Sequence, residues 1–197
     1  AGVNALLATV RNTKSLLFLG LDGNPVTSAT LQPLHDTLKL RSAEYNQIVK
    51  LKDNSVQNLD VEGKCFVKEE WFAVMIRRLK TNTSLQNFSF LRGSIDAVRA
   101  KKLAEILKTN TTLTEFVILD NHIDAAGASE FAEALKVNRT LTSLDLSLNS
   151  IDAAGAKELA EALKVNSNLA ELNLEYNKID AAGAQELAEA LKVNTTL

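Results

Sequence analysis

The stretch IDAAGAKELAEALKVN, Ile151 to Asn166, returns as IDAAGAQELAEALKVN at Ile179 to Asn194 and as IDAAGASEFAEALKVN at Ile123 to Asn138, spaced by 28 residues each time. A unit this short cannot bury a core of its own and must stack on its neighbours. Stacked units build one long surface rather than one pocket, so the repeat bears on function as well as fold.

Each copy follows an apolar pattern of a different period. From Leu141 the chain reads LTSLDLSLNSI, and from Leu169 it reads LAELNLEYNKI, with large apolar residues at positions 1, 4, 6 and 11 and Asn at position 9. Positions 4 and 6 have strand spacing, so Leu144 and Leu146 share a face while Asp145 points the other way. After Ile151 the spacing changes to three and four, with Ala156, Leu159, Ala160 and Leu163 forming the inner stripe of an amphipathic helix. Asp152 suits the N-cap and Lys164 the last turn, and Asn166 is expected to take the left-handed conformation just beyond.

The frame continues towards the N-terminus. Leu113-Phe116-Ile118-Asn121-Ile123 fits fully, and Leu85-Phe88-Phe90-Gly93-Ile95 fits with Gly at position 9. Val56-Leu59-Val61-Lys64-Phe66 fits with Lys there, and Leu16-Leu19-Leu21-Asn24-Val26 fits 40 residues earlier. About six strand–helix units result, with an expanded, irregular unit over residues 27–54. In that unit Leu31, Leu34 and Leu38 and then Tyr45, Ile48 and Val49 predict two short helices, with Pro33 in a first turn. Residues 1–197 are expected to form a single repeat domain, open at both ends and part of a longer array.

This pattern resembles the ribonuclease-inhibitor-like class of leucine-rich repeats, whose relatives include ribonuclease inhibitors, NOD-like receptors, Ran GTPase activators, tropomodulins and repeat proteins of intracellular bacteria. The motifs LxxLxLxxNxI and AGAxxLAEALKxN carry the resemblance over nearly the whole chain. It implies an α/β fold, a right-handed solenoid forming a horseshoe segment, with a parallel sheet on the concave side and helices on the convex side. It also implies that the position-9 Asn binds backbone groups of the turn, so that Lys64 and Gly93 should loosen two turns.

At 197 residues and 46% apolar content the chain can bury a continuous core. Its net charge of −2 offers no basic field to nucleic acid or to an anionic membrane, and no apolar run approaches a membrane span. The single cysteine, Cys65, permits no internal disulfide and favours an intracellular, cytoplasmic setting, with a bacterial effector delivered to a host cytosol as the alternative. Asn-x-Ser/Thr triplets begin at Asn82, Asn87, Asn110, Asn138 and Asn194. Four of them fall at one repeat position, which reads as a helix stop rather than a glycan acceptor.

Two separated histidines, His35 and His122, and one cysteine make no zinc set. The carboxylates recur with the repeat and converge on no pocket, so neither a catalytic site, a cofactor nor a metal is expected. What varies between repeats is the strand half. Positions 3, 5, 7 and 8 give Asp22, Asp60, Glu62, Glu115, Asp120, Asp145, Glu171 and Glu175, with Arg92 as the basic exception. Parallel strands lie about 4.8 Å apart, so these acids are expected to stand in columns that repel one another and attract a cationic partner. Leu91, Val117, Leu119, Leu148 and Tyr176 add apolar anchors, and Asn173 completes the face. The expected function is a protein–protein interaction module docking a partner with a basic contact surface on this concave face. The other expectations are a GTPase-activating regulator like the Ran activators, with Arg92 or Asn173 as its edge residue, and a structural or autoinhibitory spacer.

Overall fold

A computed structural model of the protein describes residues 51, 54, 56–63 and 69–197. The expected strand unit at Leu16–Val26, nearly all of the 27–54 expansion, Lys64, Cys65 and His35 lie outside the described residues.

Strand and helix alternate as the period change predicts. The order is β1 (Asn58–Glu62), α1 (Glu69–Thr81), β2 (Asn87–Leu91), α2 (Ala97–Leu107), β3 (Glu115–Val117), α3 (Ala125–Val137), β4 (Ser143–Asp145), α4 (Ala153–Leu163), β5 (Glu171–Asn173) and α5 (Ala181–Leu191). The strands form one parallel sheet in chain order, β1-β2-β3-β4-β5. The register follows the repeat, with Asn58 facing Asn87, Glu115 facing Ser143 and Ser143 facing Glu171. This is the α/β leucine-rich-repeat solenoid that the resemblance implies.

The core is a column of equivalent positions. Phe88, Phe116 and Leu144 from position 4 are buried, as are Phe90, Ile118 and Leu146 from position 6. The helices close it with Leu103, Leu107, Phe131, Leu135, Leu159 and Leu163. Aromatic rings fill the earlier units, with Phe88 and Phe116 centroids 5.3 Å apart and Phe72 meeting Phe90 edge-on at 6.1 Å. The later units use Ala and Leu, and their helices pack more closely. A Cβ on Gly155 would lie 2.8 Å from the Ile151 Cγ2 and 3.1 Å from the Ala125 Cα of the preceding helix.

Each helix from α2 onward starts on an aspartate. Asp96, Asp124, Asp152 and Asp180 are extended, and their carboxylates accept from first-turn amides, as Asp152 does from Ala154 and Gly155. The helix ends differ from expectation. Asn166 is not left-handed, because its side chain does the capping. Its Oδ1 accepts from Asn168 and Leu169 N–H at 2.9 and 2.8 Å, and its Nδ2 donates to the Leu135 and Asn138 carbonyls. Asn82, Asn110, Asn138 and Asn194 repeat the motif. These are the four triplet asparagines at that repeat position, and each amide is committed to a backbone carbonyl.

A second asparagine ladder runs along the other rim. Asn121, Asn149 and Asn177 each donate to the position-6 carbonyl of the preceding unit and accept from its position-11 N–H; for Asn149 these are Ile118 O at 2.8 Å and Ile123 N at 3.0 Å. Gly93, with no side-chain amide, breaks this ladder as expected. The Phe90 ring lies where a side chain would stand, 2.3 Å from a Cβ built on Gly93, and the Gly93 N–H reaches Asn121 Oδ1 at 3.1 Å. The turn exchanges an amide for an aromatic ring and keeps its bond to the ladder.

Candidate functional site

The side of the sheet away from the helices carries positions 3, 5 and 7 of every unit, and position 8 forms the turn at its edge. Leu91, Glu115, Val117 and Leu119 are half-buried there, while Arg92, Leu148, Glu171, Glu175 and Tyr176 are exposed. Asp145 and Asn173 are half-buried between them. Adjacent parallel strands therefore bring the predicted residues onto one surface.

The turn residues share an unusual backbone. Arg92, Asp120, Leu148 and Tyr176 have φ of 53°, 56°, 54° and 55°. Left-handed geometry costs a non-glycine residue about 1–2 kcal/mol. Stacking holds it, since the N–H of Arg92, Asp120 and Leu148 donates to the Leu119, Ser147 and Glu175 carbonyls of the following unit. No composition signal announces this conformation, because Arg, Leu and Tyr are not residues that seek it.

The electrostatics correct the picture of unrelieved acidic columns. Arg92 lies 3.8 Å from Glu62 and 4.0 Å from Asp120, so one guanidinium serves a carboxylate on each neighbouring unit. Asp145 is also engaged. Its Oδ1 accepts from the Ser147 N–H at 2.8 Å and hydroxyl at 2.6 Å, and its Oδ2 from Asn173 Nδ2 at 3.1 Å. Asn173 in turn accepts from the Glu175 N–H. Asp145 and Asn173 therefore order the turns rather than wait for a ligand. Among the described residues, Glu115, Glu171 and Glu175 have no basic side chain within ion-pair distance. The Glu62–Arg92–Asp120 cluster is legible only once position 7 of one unit is set beside position 8 of the next.

On the helical side several charges pair with one another. Glu133 and Glu161 have lowered pKa values because Lys136 and Lys164 donate hydrogen bonds to them, and both lysines are raised in return. A depression of about 380 Å³ is lined by Glu69, Ser94, Asp96, Val98 and Arg99. Its guanidinium is already held by Glu69 at 3.4 Å and by the Phe72 ring at 5.1 Å, and it donates to the Ser94 carbonyl. His122 is exposed, and among the described residues no group of His, Cys, Asp or Glu could hold a metal ion. Among them, too, no helix is long and apolar enough to cross a membrane.

Comparison with known proteins agrees with the architecture. A family model described as leucine-rich repeat matches residues 109–132, 137–160 and 165–188. These three segments, at successive 28-residue steps, are leucine-rich repeats. The structure is similar to leiomodin-1 actin-binding site 2, with a TM-score of 0.66 at 24% identity over 78% of this chain and 90% of that one. It is similar also to the tropomodulin C-terminal domain of Caenorhabditis elegans, with a TM-score of 0.64 at 14% identity over 78% and 93%. At these identities the likeness is one of fold. Comparison with curated protein sequences gives no match.

Proposed function

We propose that this protein is an interaction module that docks a partner protein, basic on its contact surface, against the acidic concave face of its sheet. The observation that carries the reading is the pairing of unneutralised carboxylates, Glu115, Glu171 and Glu175, with the exposed Leu148 and Tyr176 on one surface. Carboxylates at such a face speed the approach of a cationic partner, and apolar anchors slow its departure. We take the repeats to be of the ribonuclease-inhibitor-like class on their 28-residue length. The reading assigns the module no catalytic role and places it in the cytoplasm.

The test is affinity capture at low and high salt, comparing the protein with a Glu115→Lys/Glu171→Lys/Glu175→Lys form. A partner lost to both salt and charge reversal supports the reading. A partner indifferent to both overturns it.

A second reading rests on the superposition with an actin-binding segment of leiomodin-1. If this surface recognises actin, the protein will co-sediment with filaments or retard monomer addition. A GTPase-activating role fits less well, because Arg92 is engaged by Glu62 and Asp120 rather than presented alone. Unchanged hydrolysis by small GTPases in the presence of the protein would dispose of it.

A further inference from the structure

The exposed face is not uniform along the array. Towards the N-terminal side Arg92 lies against Glu62 and Asp120, and the apolar residues Leu91, Val117 and Leu119 are half-buried. Over β4 and β5 no cation stands on the face among the described residues, and the apolar residues emerge. Leu148 is 43% and Tyr176 76% exposed, and they occupy the same turn position in adjacent units. The two turns are joined by a hydrogen bond from the Leu148 N–H to the Glu175 carbonyl at 2.9 Å. Both residues have positive φ, and this bond holds the turn of Leu148. A leucine and a tyrosine in water beside one another forgo the burial that drives most side chains inward.

The charges around them define what covers them. Glu175 directly precedes Tyr176 in the turn, and Glu171 opens the strand that leads into it. Neither has a cation within ion-pair distance among the described residues. Asp145, at the end of β4, is taken up by Ser147 and Asn173. An acidic partner would be repelled here. A wholly polar basic one would leave the apolar pair wet.

We infer that the face docks its partner over β4 and β5, and that the docked element is a linear segment carrying a large apolar residue flanked by lysine or arginine. The apolar residue seats between Leu148 and Tyr176, and the flanking cations meet Glu171 and Glu175. This deepens the proposed function and rests on it, narrowing a whole face to one end and a basic surface to one segment chemistry. Arg92, the cation on the other half of the described face, turns a basic segment away from Glu62 and Asp120.

The experiment measures anisotropy of three labelled synthetic peptides of equal length, one alternating lysine with leucine, one lysine with serine and one glutamate with leucine. Each is titrated with the protein and with Tyr176→Ala, Glu175→Lys, a Glu62→Lys/Asp120→Lys form, and Glu186→Lys on α5 as a charge control away from the sheet. The expected result is binding of the lysine–leucine peptide, weakened by roughly tenfold or more in Tyr176→Ala and Glu175→Lys and unchanged in Glu186→Lys. Circular dichroism confirms that each variant is folded. Equal binding of the lysine–serine peptide overturns the apolar anchor and leaves the acidic-face reading standing. Binding lost in Glu62→Lys/Asp120→Lys but kept in Tyr176→Ala overturns the location alone. If no peptide binds while the captured partner remains sensitive to charge reversal, the linear segment is wrong. Preference for the glutamate peptide overturns both this inference and the reading beneath it.

Discussion

Helices α4 and α5 read AAGAKELAEAL and AAGAQELAEAL, and differ at one position, Lys157 against Gln185. Both begin on an aspartate that caps the same two amides. Yet α4 buries Gly155, Ala156, Leu159, Ala160, Ala162 and Leu163, whereas α5 buries only Gly183 and Ala190. Leu163 is 1% exposed and its counterpart Leu191 47%. Helix propensity, capping and amphipathic pattern are shared, so none of them accounts for the difference. Among the described residues α4 has a helix on either side and α5 on one side only. In a stacked array the hydrophobic stabilisation belongs to the interface between units, and one sequence has two energetic roles according to its neighbours.

The largest test of that contrast removes the same side chain from both. Leu159→Ala deletes a fully buried leucine and should cost about 2–5 kcal/mol. Leu187→Ala, at the half-buried equivalent position, should cost less than about 1 kcal/mol, since surface-type substitutions rarely exceed that. Urea unfolding monitored by circular dichroism measures both. Equal losses would mean that the outer face of α5 is covered in solution, and a loss that grew with protein concentration would identify self-association as the cover.

The asparagine ladder sharpens the comparison by holding the bonds constant and varying burial. Asn149 and Asn177 make equivalent contacts, Asn149 to Ile118 O and Ile123 N, Asn177 to Leu146 O and Ile151 N. Asn149 is buried and Asn177 half-buried. Asn149→Ala orphans a buried carbonyl and a buried amide, at about 1–3 kcal/mol for each. Asn177→Ala orphans partners in equally buried residues, Leu146 and Ile151, but removes a half-buried side chain whose place water can take, and should cost less. If the two losses match, the bond itself, rather than desolvation of its partners, sets the value of the ladder.

How much of this could be read beforehand follows from the same division. The strand and helix of each unit were legible because their periods differ, and Asp152 announced its cap. The residues of the exposed face were legible as positions, because alternation in a strand assigns faces without any knowledge of contacts. Their pairings were not. The Arg92 contacts join residues in three different units, and Asp145 was spoken for by a serine two residues on and an asparagine in the next strand. Charge counted by position overstates the free acid wherever hydrogen bonds cross repeats. Gly93 was half legible for a related reason. The missing amide was visible in the sequence, whereas the Phe90 ring standing in its place depends on side-chain direction.

The ion pairs give the smallest and last test. Between α1, α2 and α3 they cross from helix to helix: Lys80 to Glu105, Lys101 to Glu130, and Lys102 and Arg99 to Glu69. In α3, and at the C-terminal ends of α4 and α5, they stay within one unit, as Glu133–Lys136, Glu161–Lys164 and Glu189–Lys192. Glu69 has a pKa lowered from 4.5, chiefly by the Lys102 hydrogen bond, with Arg99 assisting and desolvation opposing. A lowered folded pKa means that its contribution is complete above the unfolded value near 4.5 and fades as pH falls through the lower folded one. Its side chain is 56% exposed, so solvent screening confines the contribution to about 1 kcal/mol or less. Glu69→Gln should therefore flatten the acid side of the stability profile below pH 4.5 and leave the difference between pH 6 and 8 unchanged. Because this pair joins α1 to α2, the variant should also raise amide exchange in α1 before it does so in α4. Faster exchange in both helices together would show that the array opens as one unit, and that the ion pairs between early helices contribute nothing local.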